Sequence, residues 1–235
     1  MSEGMVECGF CNTQSREGQH LCPSCGACLP LMSGGIAWER RREVGLASAL
    51  IHTVGGVFRS PSTVFAALRG SSSHTGAVIL VIVIGFFSSL IQAIWTMVLV
   101  PVEAKAALAG MLQNFSPAPL SQAFLDDAFR AVMIGQVALS PLFSVLALYL
   151  ETGLVWLALM IVGAEGRRFS MVLLIVAVSE IASLGVIVPQ VGGLLSMVLG
   201  VVFLTTGLTV RLRLGQGRAL LCALAPPVVL LLLFV

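Results

Sequence analysis

Charge is what this sequence has least of. Only 10% of its 235 residues are Asp, Glu, Lys or Arg, while 57% are hydrophobic. Water-soluble domains carry roughly a quarter charged residues, so this composition excludes a fully solvated chain. A catalytic constellation is also missing. His20, His52 and His74 all lie before or at the start of the first long apolar run, and none has a serine, cysteine or acid at a recognisable spacing. No glycine loop with a phosphate-binding pattern occurs. The sequence reads as that of a non-enzyme. Residues 1–30 lack the short apolar run and small-residue cleavage site of a secretory leader. The amino terminus is therefore expected in the cytosol, where reducing conditions favour metal over disulfides at paired cysteines.

What is present begins with two cysteine pairs. Cys8-Gly9-Phe10-Cys11 and Cys22-Pro23-Ser24-Cys25 are separated by ten residues. Together they supply four thiolates, the number a tetrahedral structural zinc prefers. Gly26 follows the second pair, where a metal knuckle must turn tightly, often with positive φ. A thiol-redox pair, disulfides and an iron centre are the rival readings. Redox chemistry is disfavoured because one C-x-x-C would suffice and no βαβ pattern surrounds it. Cys28 and His20 are each able to replace one of the ligands Cys8, Cys11, Cys22 and Cys25. A segment of 30 residues cannot build a core unaided and needs a metal or disulfides. A four-cysteine site is closed and structural, so its expected use is to display a surface to a protein partner. Nucleic acid is disfavoured, since Arg16 is the only basic residue there and Glu3, Glu7 and Glu17 oppose it. Cys222, far downstream, reads as a small buried apolar residue.

The rest of the chain divides into residues 31–75, a linker with amphipathic helices, and residues 76–235, an all-α membrane domain. Leu29 to Gly35 reads as a linker. Ile36 to Phe58 is predicted as one amphipathic helix, with Val44, Ala47, Ile51, Val54 and Phe58 at alternating steps of three and four. Ser60-Pro61 opens a second short helix, Ser as N-cap and Pro in the first turn. Val64, Phe65 and Leu68 form its stripe. These basic pieces are expected to lie in the membrane interface or to pack on the bundle's cytosolic end. Membrane spans need about 20 apolar residues, and five are predicted: 77–100, 141–164, 169–188, 191–210 and 219–235. The fifth is short and interrupted by Pro226-Pro227, so a re-entrant segment is its alternative. Between the first two spans, Phe124, Leu125, Ala128 and Phe129 suggest another interfacial helix.

Arginine and lysine set the orientation. With the amino terminus inside, the cytosolic side receives Arg16, Arg40, Arg41, Arg42, Arg59, Arg69, Arg167, Arg168, Arg211, Arg213 and Arg218. The far side receives only Lys105 and Arg130, along with Glu103, Asp126 and Asp127. The carboxyl terminus then lies on the far side.

Two formal charges fall inside the predicted spans, Glu151 and Glu180. Counted from the cytosolic ends of spans two and three, both sit about 17 Å deep, at matching heights on antiparallel neighbours. Ser179, Ser183 and Thr152 are nearby, and Gln92 is expected to reach the same layer. An intramembrane carboxyl is a functional-site hypothesis by default, here a proton or cation site. The plainer reading is neutral acids that join helices by hydrogen bonds, and a third is exposure of either acid to water or a partner. In span four, Gly193, Gly200 and Gly207 recur at seven-residue steps with Ser196 on the same face. Intramolecular packing is the expectation, with a homo-oligomer face as the alternative.

Four short patterns resemble the Yip family of Ypt/Rab-interacting membrane proteins, in its bacterial branch. Ser60-Pro61-Ser62-Thr63-Val64-Phe65-Ala66-Ala67-Leu68 is similar to the family's Pro-x-x-x-Phe-x-x-Leu entry helix. Gly163-Ala164-Glu165-Gly166 followed by Arg168-Phe169-Ser170 resembles its small-residue turn, although Ala164 stands where the usual pattern has a second glycine. Pro189 to Gly193 resembles the outer turn. Leu214-Gly215-Gln216-Gly217-Arg218-Ala219 resembles the entry to the last span. The resemblance covers about residues 58–235. Five spans with a cytosolic amino terminus fit it as well; it implies a link to membrane organisation and transfers no catalytic residue, while the appended ribbon and short loops point to a bacterial source and so to an inner membrane. The combined expectation is a non-enzymatic multi-pass protein whose zinc ribbon recruits a partner. The alternatives are a proton or cation transporter or channel-like subunit using Glu151 and Glu180, and a membrane-tethered metal or redox regulator.

Overall fold

The computed structural model describes residues 5–7, 13–16, 24, 35–68, 74–99, 101–113, 121–164 and 168–233. Near the amino terminus, β1 (Met5–Glu7) and β2 (Gln14–Arg16) pair antiparallel, with Met5 opposite Arg16 and Glu7 opposite Gln14. The remaining described elements are helical.

The predicted helix over 36–58 is corrected to two pieces, α1 (Arg41–Val44) and α2 (Leu46–Arg59). Gly45 separates them with φ of 84°, a conformation that a residue with a Cβ rarely adopts. The predicted stripe is also turned the other way. Ala49, Thr53 and Val57 are the buried face of α2, while Val44, Ile51 and Phe58 are exposed. Small residues allow the close approach: a Cβ on Gly56 would meet Val64 of the next helix at 3.0 Å. That helix is α3 (Pro61–Ala67), with Pro61 in its first turn as expected. Ser60 precedes it, but its hydroxyl pairs with that of Thr63 at 2.7 Å and does not cap the backbone.

The described segment before α1, residues 36–40, packs into the bundle. Trp38 is almost fully buried. Its indole N–H donates to the Gly76 carbonyl at 2.8 Å, and its backbone N–H donates to Thr53 Oγ1 at 3.0 Å. Arg41 lies over the indole ring and donates to the Trp38 carbonyl. Residues 36–41 are thereby pinned to the start of the first long helix.

Among the described residues, four helices are long and apolar enough to cross a membrane: α4 (His74–Leu99), α6 (Gln122–Ile161), α7 (Phe169–Ser179) with its continuation to Ile187, and α8 (Gly192–Leu212). α5 (Pro101–Gln113) follows α4 directly, and α9 (Gln216–Leu233) closes the order. α7 is the central element: every residue from Val172 to Ser179 is buried. α4, α6 and α8 pack around it, and α9 packs against α6 and α8. Close crossings use small residues. A Cβ on Gly85 of α4 would overlap Ser144 of α6, and one on Gly207 of α8 would stand 2.6 Å from Ile175 of α7.

Two departures from the predicted spans matter. The helix that carries the second predicted span does not start at Pro141: α6 runs unbroken for 40 residues from Gln122. Ser121 caps it by accepting from the Phe124 N–H. At about 1.5 Å per residue, α6 is about 60 Å long, twice the hydrocarbon thickness of about 30 Å. Pro141 removes the donor for the Val137 carbonyl, and the Ser140 hydroxyl supplies one at 2.9 Å. The interfacial helix expected at 124–129 is thus the first part of α6, paired with α5. Lys105 bonds Asp126 across that pair at 2.6 Å and lies over the Phe129 ring. This hydrogen bond, and then the ammonium charge, hold the Asp126 carboxyl below the usual range. The second departure concerns the third span, which is α-helical only to Ser179. From Glu180 to Ile187 it is a 3₁₀ helix.

Candidate intramembrane acid site

Glu151 and Glu180 meet. α6 and α7 run antiparallel through the short turn at Val162–Ala164, where Gly163 takes φ of 71°, and this connection places the two acids at one level. Their side chains are within hydrogen-bonding reach of each other. Two carboxyl groups joined in this way must hold a proton between them, since neither ionised group has a donor. Both face a cavity of about 740 Å³ bounded by α6, the α7–3₁₀ junction, α8 and α9.

The cavity wall is apolar except for the acids and three hydroxyls, those of Ser179, Ser183 and Ser196. Each hydroxyl is already engaged. Ser179 donates to the Ile175 carbonyl at 2.9 Å, Ser183 pairs with Ser88 of α4 at 2.9 Å, and Ser196 reaches the Ser183 carbonyl at 3.4 Å. These contacts tie α4, the 3₁₀ segment and α8 around the acids. Thr152, expected in the same layer, is fully buried, and its hydroxyl has no partner. Gln92 is exposed and is not brought to the site.

Two contributions were not foreseen. Pro226 and Pro227 line the cavity from α9. Lacking N–H groups, they leave the carbonyls of Cys222 and Ala223 without their helical donors. Ala223 lines the cavity with them, so one backbone carbonyl freed in this way stands beside it at membrane depth. The second contribution is the change of helix type at Glu180. A 3₁₀ run of eight residues is long for that geometry, and its first residue is the half-buried acid Glu180. The proline pair was visible in the sequence as an interruption; the 3₁₀ change had no sequence signal. The small-residue face of α8 divides. Gly207 and Gly200 point at Ile175 and Ala182 inside the molecule, while nothing lies within 4 Å of Gly193. Cys222 is buried, as expected.

The cysteine ligand set lies outside the described residues: Cys8, Cys11, Cys22, Cys25, Cys28 and His20 are all among those not placed. What is placed is the β1–β2 pair, and Cys8 and Cys11 fall between its two strands in the sequence. Among the described residues, no three His, Cys, Asp or Glu side chains come together.

No family model matches this chain, and no curated protein or solved structure matches it.

Proposed function

We propose that this chain is a non-enzymatic, Yip-like multi-pass protein of a bacterial inner membrane, with a zinc ribbon on its cytosolic side that recruits a protein partner or helps organise the membrane. The observation that carries the reading is the antiparallel β1–β2 pair, whose strands flank Cys8 and Cys11 in the sequence and precede the membrane-length helices along the chain. In this reading Cys8, Cys11, Cys22 and Cys25 hold a structural zinc. α9 serves as a fifth span, with its carboxyl end on the far side, and the arginine-rich end faces the cytosol. The ribbon does no chemistry; its metal stabilises a small surface that a partner reads. The test is capture of a defined cytosolic protein by the full-length chain in membranes. Retention by wild type and loss with Cys22→Ser, while the bundle stays folded, supports the reading. Equal retention by both contradicts it.

A second reading is favoured by the contact between Glu151 and Glu180 in the cavity. There the pair is a proton or cation site of a transporter or channel-like subunit, with the proline-freed carbonyl of Ala223 as an additional oxygen donor. Purified protein in liposomes tests it. Proton or monovalent-cation flux that both Glu151→Gln and Glu180→Gln abolish supports it; no flux from folded wild-type protein removes it.

A further inference from the structure

We infer that α2 and α3 form a helical hairpin sunk partway into the bilayer at the arginine-rich end, with its outer face covered by acyl chains and the headgroups of anionic phospholipids. α2 has two apolar faces. The inner face, Ala49, Thr53 and Val57, is buried on the bundle. The outer face carries Ile51 at 69% exposure and Phe58 at 46%. Such a stripe in water is costly, and here the geometry states what covers it. Phe58 stacks edge-on against Phe203 of α8, with ring centres 5.6 Å apart. Phe65 of α3 packs where Gly207 of α8 leaves room, since a Cβ there would stand 2.9 Å from its ring. Phe203 and Gly207 lie about 13 Å and about 8 Å inside the Leu212 end of α8, at 1.5 Å per residue. The turn at Ser60-Pro61 is therefore below the end of a membrane-length helix, at hydrocarbon depth, and the outer face of α2 continues the lipid-facing wall.

Charge selects the kind of lipid. Residues 40–59 carry Arg40, Arg41, Arg42 and Arg59 against the single acid Glu43. Arg42 and Arg59 are exposed beside the apolar stripe, and Arg213 and Arg218 are exposed at the same end of α8 and α9. A second copy of the chain is a poor match, because the exposed acids Asp126 and Asp127 lie on α6 beside Lys105 and Arg130, and Glu43 is the one exposed acid on residues 35–68. Phosphate headgroups supply the missing negative charge, and long arginine side chains reach them from a shallowly buried helix.

The test uses the full-length chain reconstituted in phosphatidylcholine vesicles, with and without phosphatidylglycerol. A photo-reactive benzophenone side chain is placed at position 51, at position 58 or, as an inward control, at position 49. Lipid adducts are expected from positions 51 and 58 and crosslinks within the chain from position 49. Phosphatidylglycerol is expected to dominate the adducts, with its preference falling about fivefold for each of Arg42→Gln and Arg59→Gln. Crosslinks from position 51 to a second copy or to a soluble protein, absence of lipid adducts, or equal adduct yields with the two lipids would each overturn the inference.

Discussion

Gly207→Ala is the sharpest single test of the bundle. The position is where α3, α7 and α8 meet. A Cβ added there would stand 2.6 Å from Cγ2 of Ile175 and 2.9 Å from two ring carbons of Phe65. Carbon atoms pack best at about 3.5–4.0 Å, so the methyl group intrudes by about 0.6–1 Å on two sides at once. Neither neighbour has room to give way, because Ile175 and Phe65 are both fully buried. Overpacking of this kind costs about 1–3 kcal/mol. The better helix propensity of alanine returns about 1 kcal/mol, leaving a net loss of about 0–2 kcal/mol and a deficit of about 1–3 kcal/mol against a glycine replaced without a clash. Gly193→Ala is the matched control: it lies in the same helix with nothing within 4 Å, so it receives the propensity gain without the clash. Gly200→Ala, whose Cβ would sit 3.8 Å from Ala182, is expected to be close to neutral. Thermal unfolding in detergent, followed by retention of the monodisperse peak after heating, should rank the three. At about 2–4 °C per kcal/mol for a chain of this size, Gly207→Ala should melt several degrees below Gly193→Ala. If the two melt together, α3 does not pack against α8 as described, and the depth assigned to the Ser60-Pro61 turn fails with it.

Other expectations follow from the same contacts. Glu180→Leu should destabilise the bundle more than Glu180→Gln, because glutamine keeps a hydrogen-bonding partner for Glu151 and leucine leaves that acid alone in an apolar cavity, a difference of about 1–2 kcal/mol readable in the same melting assay. Trp38→Phe removes the donor to the Gly76 carbonyl; the loss is expected to be about 1 kcal/mol, and limited proteolysis should cleave sooner near residues 36–45. Asp126→Asn removes an exposed pair. Because Lys105 lowers the Asp126 pKa, that pair stabilises the fold above the ordinary carboxylate range and is lost as pH falls through the lowered value; screening by water and salt should leave its effect on melting at neutral pH below detection.

Much of the body was legible because its signals are long. Uninterrupted apolar stretches around residues 77–100 and 191–210 needed no tertiary information, and the helices found there differ from them by one to three residues at each end. The meeting of Glu151 with Glu180 was legible for the same reason, since a short turn between two spans fixes their relative height. Readings that depended on which face a helix turns inward fared differently. In α2 the large residues Ile51 and Phe58 look like the core stripe by periodicity. The inner face uses Ala49, Thr53 and Val57, and Gly56 stands beside it where a Cβ would meet Val64 of α3 at 3.0 Å, so mostly small residues admit the close approach. Hydrophobic size is a guide to burial in water, but lipid is as apolar as a core, so large residues lose their reason to turn inward. The unbroken α6 was missed for a local reason. Pro141 reads as a helix start, yet the hydroxyl of Ser140 satisfies the carbonyl that the proline frees, and the helix passes through. The 3₁₀ change at Glu180 arises from packing against α8, where Gly185 meets Ser196, and no local pattern announces it.

The account rests on a zinc-bearing head fixed to a membrane body, and the metal content of the full-length protein tests that most directly. Protein extracted from membranes in mild detergent, without added metal, should carry one zinc per chain by elemental mass spectrometry. Cys8→Ser and Cys22→Ser should each lower that ratio by at least about tenfold after dialysis against a chelator, because each removes one of four thiolates from a closed site, while the bundle's melting temperature stays unchanged. A wild-type chain that holds no stoichiometric zinc and still has a protease-resistant amino terminus would contradict the account.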